Sequence, residues 1–152
     1  MKKSQRIQAL VELKARHEKN ALTTLAEFQQ KKRQAQQQLE HLQQYRQEYI
    51  DKFNARSGAG INVQTLLEFR SFIDKLDSAI AGQVLQVQQC ATDEARRRDL
   101  WEKSHQQTES MQKVYCGIVA AEVKLENKRE QAETDDRSCR MSRGSSTGTR
   151  NA

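Results

Sequence analysis

From about Ser4 to Arg56 apolar residues return at alternating steps of three and four, the spacing of a helix face that packs along another helix. One seven-residue column reads Ala21, Phe28, Ala35, Leu42, Tyr49, and its neighbour reads Val11, Glu18, Leu25, Lys32, Leu39, Arg46, Phe53. Lys32 and Arg46 sit awkwardly on such a seam unless their aliphatic stems lie along the partner and their charges reach water. The run Ser57-Gly58-Ala59-Gly60 then interrupts the period, and its two glycines can take positive φ at little cost, so a reversal is predicted over 57–62. Asn62 reads as an N-cap, and Thr65 with Glu68 as a capping box. A second helix follows with the columns Leu66, Ile73, Ile80, Val87, Glu94, Trp101, Thr108, Tyr115 and Phe69, Leu76, Gln83, Cys90, Arg97, Ser104, Met111, Ile118, Leu125. Both columns are apolar from Leu66 to Leu76 and loosen after Val87.

These elements predict an all-α fold: a long antiparallel two-helix coiled-coil hairpin over residues 1–136, followed by a disordered basic tail over 137–152. Helix one is expected over about 4–56 and helix two over about 63–133, because a short connection favours antiparallel neighbours. At 1.5 Å per residue they would be roughly 80 Å and roughly 105 Å long. With the turn near Ala59, residue i should face about residue 118 − i. Ile118, Val119, Val123 and Leu125 would then run past the start of helix one as an apolar stripe, either a frayed end or a docking surface. Beyond Thr134 the chain is rich in Ser, Gly and Arg and has no period.

Composition agrees with a narrow seam. With 36% hydrophobic, 5% aromatic and 30% charged residues and no proline, the chain is too lean for a thick core and free of the usual helix breaker. The net charge of +6 invites a nucleic-acid reading, but Arg137, Arg140, Arg143 and Arg150 account for four of those charges and leave the body nearly neutral. Cys90, Cys116 and Cys139 lack the close pairing of a zinc ligand set and read as free thiols. No signal peptide and no apolar run of membrane-spanning length are present, which points to a cytoplasmic chain without a membrane anchor of its own.

Candidate chemistry is sparse. His17, His41 and His105 are far apart on this hairpin, with His17 expected near Trp101, and no phosphate-loop, H-E-x-x-H or G-x-S-x-G motif occurs. No enzyme, cofactor or metal site is expected. The triplets Lys31-Lys32-Arg33 and Arg96-Arg97-Arg98 read as solvated faces, since no base-stacking aromatics are interleaved with them. More telling are the aromatics near the turn. Tyr49 and Phe69 suit a clamp that closes the hairpin end, whereas Tyr45 and Phe72 fall beside the seam columns, where partly exposed aromatics mark binding hot spots. Gly82, inside helix two, flattens the surface next to Ala79 and Ala81 and would admit the close approach of a partner backbone.

The stretch Leu42-Gln-Gln-Tyr45-Arg-Gln-Glu-Tyr49, the turn with Gly60-Ile61, and Phe72-Ile73-Asp-Lys-Leu76-Asp-Ser-Ala79-Ile80 closely resemble the FliJ family of flagellar type III export proteins. The lone Trp101 and the basic tail are similar to that family as well, and the specific part of the resemblance spans Gln38 to Gln83. The resemblance implies a stalk-like adaptor of the export apparatus, at the flagellar base and peripheral to the inner membrane. Its implied partners are the hexameric ring of the export ATPase FliI, the cytoplasmic domain of the export gate FlhA, and export chaperones whose recycling it assists; no nucleic acid is implied, and the membrane only indirectly. Carried over by position, the gate-binding surface comprises Gln38, Leu42, Tyr45, Tyr49, Phe72, Leu76, Ala79 and Gln83, where the family pattern leads us to expect histidine in place of Gln83. For the ring-facing end the candidates are Ile7, Leu10, Leu13 and Lys14 with Tyr115, Ile118 and Leu125. Two alternatives stand beside this reading: an export chaperone that holds substrates against aggregation, and the equivalent stalk of a virulence secretion system.

Overall fold

The computed structural model describes residues 2–146, and two helices account for nearly all of them: α1 over Lys3–Ser57 and α2 over Val63–Ser146. The two pack against each other, as the alternating three- and four-residue steps require. In α1 every member of both columns, from Ser4 through Phe53, is buried or half-buried, while the positions between them are almost all exposed. In α2 the column from Ile73 through Tyr115 to Glu122 is likewise withdrawn from solvent. This is the arrangement of a seam rather than a core: Leu25, Ala35 and Leu76 are the buried hydrophobic residues among those described.

Residues 58–62 make the reversal. The amide nitrogens of Ala59 and Gly60 donate to the carbonyls of Arg56 and Ser57, and Gly60 takes φ +86°, a left-handed conformation that any Cβ would strain. α2 starts directly after Asn62, whose carbonyl accepts from Leu66 N at 3.1 Å, so Asn62 is the cap. Thr65 and Glu68 lie inside the helix and form no capping box. Near the reversal the expected facing holds, with Tyr49 against Phe69 and Ala35 against Gln83, whereas Lys32 meets Glu94, further along α2 than expected.

The chain divides into two compact units. The second, His17–His105, holds the reversal and the aromatic residues near it. The first joins the residues up to Arg16 with those from Gln106 onward. In the first unit Ser4 N donates to Glu122 Oε1 at 3.1 Å and Lys14 Nζ to Gln107 Oε1 at 3.4 Å. Helix one therefore reaches past Ile118 and Val119. Both are half-buried rather than unpartnered, and the exposed part of the expected stripe is reduced to Val123 and Leu125.

α2 also runs on past the expected end near Glu133, to Ser146, with residues 134–145 exposed. The extension contains no proline and no glycine before Gly144, Arg140 pairs with Asp136 one turn earlier at 3.3 Å, and Thr134 Oγ1 bonds back to the Glu130 carbonyl. The rest of the expected tail, 147–152, lies outside the described residues.

Candidate functional site

The second unit carries an aromatic cluster beside the reversal. Phe53 and Phe69 stack with ring centroids 3.8 Å apart, Tyr49 stacks on Phe69 at 5.5 Å, and Tyr49 meets Phe72 at 4.5 Å in a tilted contact. Three of these four rings come from seam columns, so the heptad spacing itself places them face to face. Phe72, one residue off its column, closes the cluster and turns its other side to Tyr45, an edge-on contact at 6.1 Å. Tyr45 is 49% exposed. A large ring that is half in water and held edge-on by a neighbour is positioned to be covered by a partner at small entropic cost.

Next to Tyr45 the two helices leave a shallow groove of about 420 Å³, lined by Gln38, His41, Leu42, Tyr45 and Gln83. Gln83 bridges the helices there, donating to the Ala35 carbonyl at 2.9 Å and facing the Gln38 side-chain oxygen at 3.3 Å. Of the eight residues expected at the gate-binding surface, Gln38, Leu42, Tyr45 and Gln83 thus meet in one groove. Tyr49 and Phe72 form the aromatic support beneath Tyr45, Ala79 is exposed, and Leu76, at 7% exposure, is seam rather than surface. A second groove of about 470 Å³ opens toward the reversal among Tyr45, Tyr49, Phe53, Ile61 and Phe69, edged by Lys52, Arg56, Glu48 and Glu68.

Sequence reasoning did not place His41, Phe53 or Ile61 at a binding surface. Phe53 was visible as the end of a column, whereas His41 sits on the outer face, where a polar residue reads as solvated.

Unit one holds the other candidates. Leu10, Leu13 and Leu125 are exposed, Ile7, Tyr115 and Ile118 half-buried, and Lys14 is held by Gln107. Val114, which the period did not select, is exposed as well.

In the second unit charges enter the seam at every second heptad of α1. Glu18 meets His105, with Nδ1 and Oε1 2.5 Å apart, Lys32 meets Glu94 at 2.9 Å, and Arg46 meets Asp77 at 2.6 Å. His105, not the exposed His17, is the imidazole that stacks on Trp101, at 5.3 Å. Glu94 is 5% exposed and is held by both Lys32 and Arg98. The Lys32 hydrogen bond outweighs desolvation and, with the charges of Lys32 and Arg98, keeps this carboxyl below the usual range. In the first unit the Ser4 hydrogen bonds lower the Glu122 carboxyl in the same way.

The family model of the flagellar FliJ protein matches residues 2–147. The chain belongs to the FliJ family. It is also similar to the flagellar FliJ protein of Salmonella typhi, 26% identical over 130 residues that cover 86% of this chain and 88% of the relative. No solved structure matches. Membership makes the chain a component of the flagellar protein export apparatus, in a family that is not enzymatic. Among the described residues no helix is long and apolar enough to cross a membrane, and no group of His, Cys, Asp and Glu is arranged to hold a metal ion.

Proposed function

We propose that this FliJ-family chain is a stalk-like adaptor that couples the export ATPase ring to the export gate and assists the recycling of export chaperones. The observation that carries this reading is the groove of Gln38, His41, Leu42, Tyr45 and Gln83, with Tyr45 half exposed above a packed aromatic support. It gives the cytoplasmic domain of the gate protein FlhA an apolar anchor ringed by amides, the composition of a protein-binding hot spot. Tyr49, Phe72 and Leu76 hold the anchor in place, and Ala79 extends the contact along α2. In the other unit, Leu10, Leu13 and Leu125, with Ile7, Lys14, Tyr115 and Ile118, offer the apolar contact for the ring of the ATPase FliI. The chain works on the cytoplasmic side, at the flagellar base, peripheral to the inner membrane through its partners.

Titration of the purified export ATPase with this protein tests the coupling role: ATP hydrolysis should rise, and an unchanged rate at every ratio contradicts it. The exposed leucines favour one second reading, a chaperone that holds export substrates. Suppression of client aggregation without any effect on the ATPase would select it.

A further inference from the structure

The two basic triplets, far apart in sequence, meet at one level of the second unit. Lys31 Nζ lies 4.7 Å from the centroid of the Phe28 ring, and the Arg97 guanidinium carbon lies 4.8 Å from the same centroid. Two like charges are thereby gathered over one ring, an arrangement that independent solvated faces would avoid. Their neighbours Lys32 and Arg98 are engaged by Glu94. Among the described residues Lys31, Arg33, Arg96 and Arg97 form no ion pair, although Lys32, Arg46 and Arg98 all do. Four cations at this level thus remain without an internal carboxylate partner among the described residues.

Arg97 is also out of place by the logic of the seam. It belongs to the α2 column Leu76, Gln83, Cys90, Arg97, Ser104, Met111, Ile118, and of these it is the one member exposed to solvent. An aliphatic residue at that position would pack against Phe28 and strengthen the helix pair; a guanidinium gives up that burial and adds unneutralised charge. A seam position left exposed, with its guanidinium laid over the Phe28 ring, is what a binding residue shows.

We propose that Phe28, Lys31 and Arg97 form the centre of a docking site for an acidic polypeptide segment of a partner. Arg97 offers a planar fork that can hold a carboxylate through two hydrogen bonds and Lys31 takes a second carboxylate, with the Phe28 ring holding the two cations in place. Charge complementarity selects this occupant. A nucleic acid needs a longer basic track with free aromatic faces for bases, whereas this level is one turn deep on each helix and the ring is already covered by cations. The site shares no residue with the two surfaces of the proposed function.

The test is fluorescence anisotropy of the full-length protein with a labelled oligoglutamate peptide, alongside a single-stranded oligonucleotide of matched charge. The peptide should bind, more weakly as salt rises, and the double substitution Lys31→Gln with Arg97→Gln should weaken it about tenfold at unchanged helicity. Arg97→Leu should weaken binding while raising Tm, which a merely structural role would not do. Replacing Arg137, Arg140 and Arg143 by Gln should leave the affinity within about twofold. Loss of binding in that last variant instead, equal binding by the Lys31/Arg97 variant, or tighter binding of the oligonucleotide would overturn the proposal.

Discussion

Lys32 Nζ lies 2.9 Å from the Glu94 carboxylate in a seam whose heptads on either side of Lys32 are occupied by Leu25 and Leu39. A slip of one heptad would set Glu94, His105 and Asp77 each against an apolar residue, because Glu18, Lys32 and Arg46 alternate with Val11, Leu25, Leu39 and Phe53. Charged rungs at every second heptad therefore specify one register where a uniform apolar seam would permit several.

Glu94→Ala should destabilise the protein by about 2 kcal/mol, since it strips the buried partner from Lys32, although the lysine can still reach water. Replacing Lys32 and Glu94 together by Leu should cost little or even stabilise. Urea unfolding of the three proteins measures both effects.

The depressed Glu94 carboxyl also fixes a sign for pH. Its folded pKa lies below the unfolded value, so its contribution is complete above the ordinary glutamate range near 4.3 and is lost as pH falls through the lower folded value. Thermal unfolding from pH 7 downward should show a smaller acid loss in Glu94→Gln than in the wild type, starting from a lower Tm. Equal slopes would mean that other carboxylates dominate.

Tyr49 and Tyr45 should separate cleanly in stability. Tyr49 touches both Phe69 and Phe72, so Tyr49→Ala should cost about 2–3 kcal/mol, whereas Tyr45→Ala, removing a half-exposed ring, should cost under about 1 kcal/mol. Chemical denaturation of the two variants checks this.

The glycines make a further pair. A Cβ built at Gly82 meets nothing within 4 Å, so Gly82→Ala should stabilise α2 by about 1 kcal/mol, while Gly60→Ala should destabilise by a similar amount because of its φ of +86°. If Gly82→Ala gains stability yet impairs export, the flat surface at Gly82 receives a partner backbone.

Much of this was legible in the residue pattern. The α1 columns read from Val11 to Phe53 coincide with its withdrawn face, the reversal falls where Gly58 and Gly60 sit, and the Tyr49–Phe69 clamp follows from column membership. Register was less legible, because heptads look alike under a shift: the Lys32–Glu94 rung sets it in the second unit and the Ser4–Glu122 hydrogen bond in the first. Asn62 and Thr65 both offered a cap, and the earlier one won. The end of α2 was misjudged because the polar, aperiodic run from Thr134 lacks a buried face, yet contains nothing that stops a helix before Gly144. The meeting of Lys31 and Arg97 over Phe28 was invisible to a reading that took each triplet by itself.

The measurement that tests the account most directly is titration of the purified cytoplasmic domain of the export gate with wild-type protein, Tyr45→Ala and Tyr49→Phe, with circular dichroism as the folding control. The account predicts that Tyr45→Ala weakens binding by tenfold or more, about the loss of a 1.4 kcal/mol contact, at full helicity, while Tyr49→Phe binds as the wild type does. Unchanged affinity of Tyr45→Ala would contradict the assignment of this groove as the gate-binding surface.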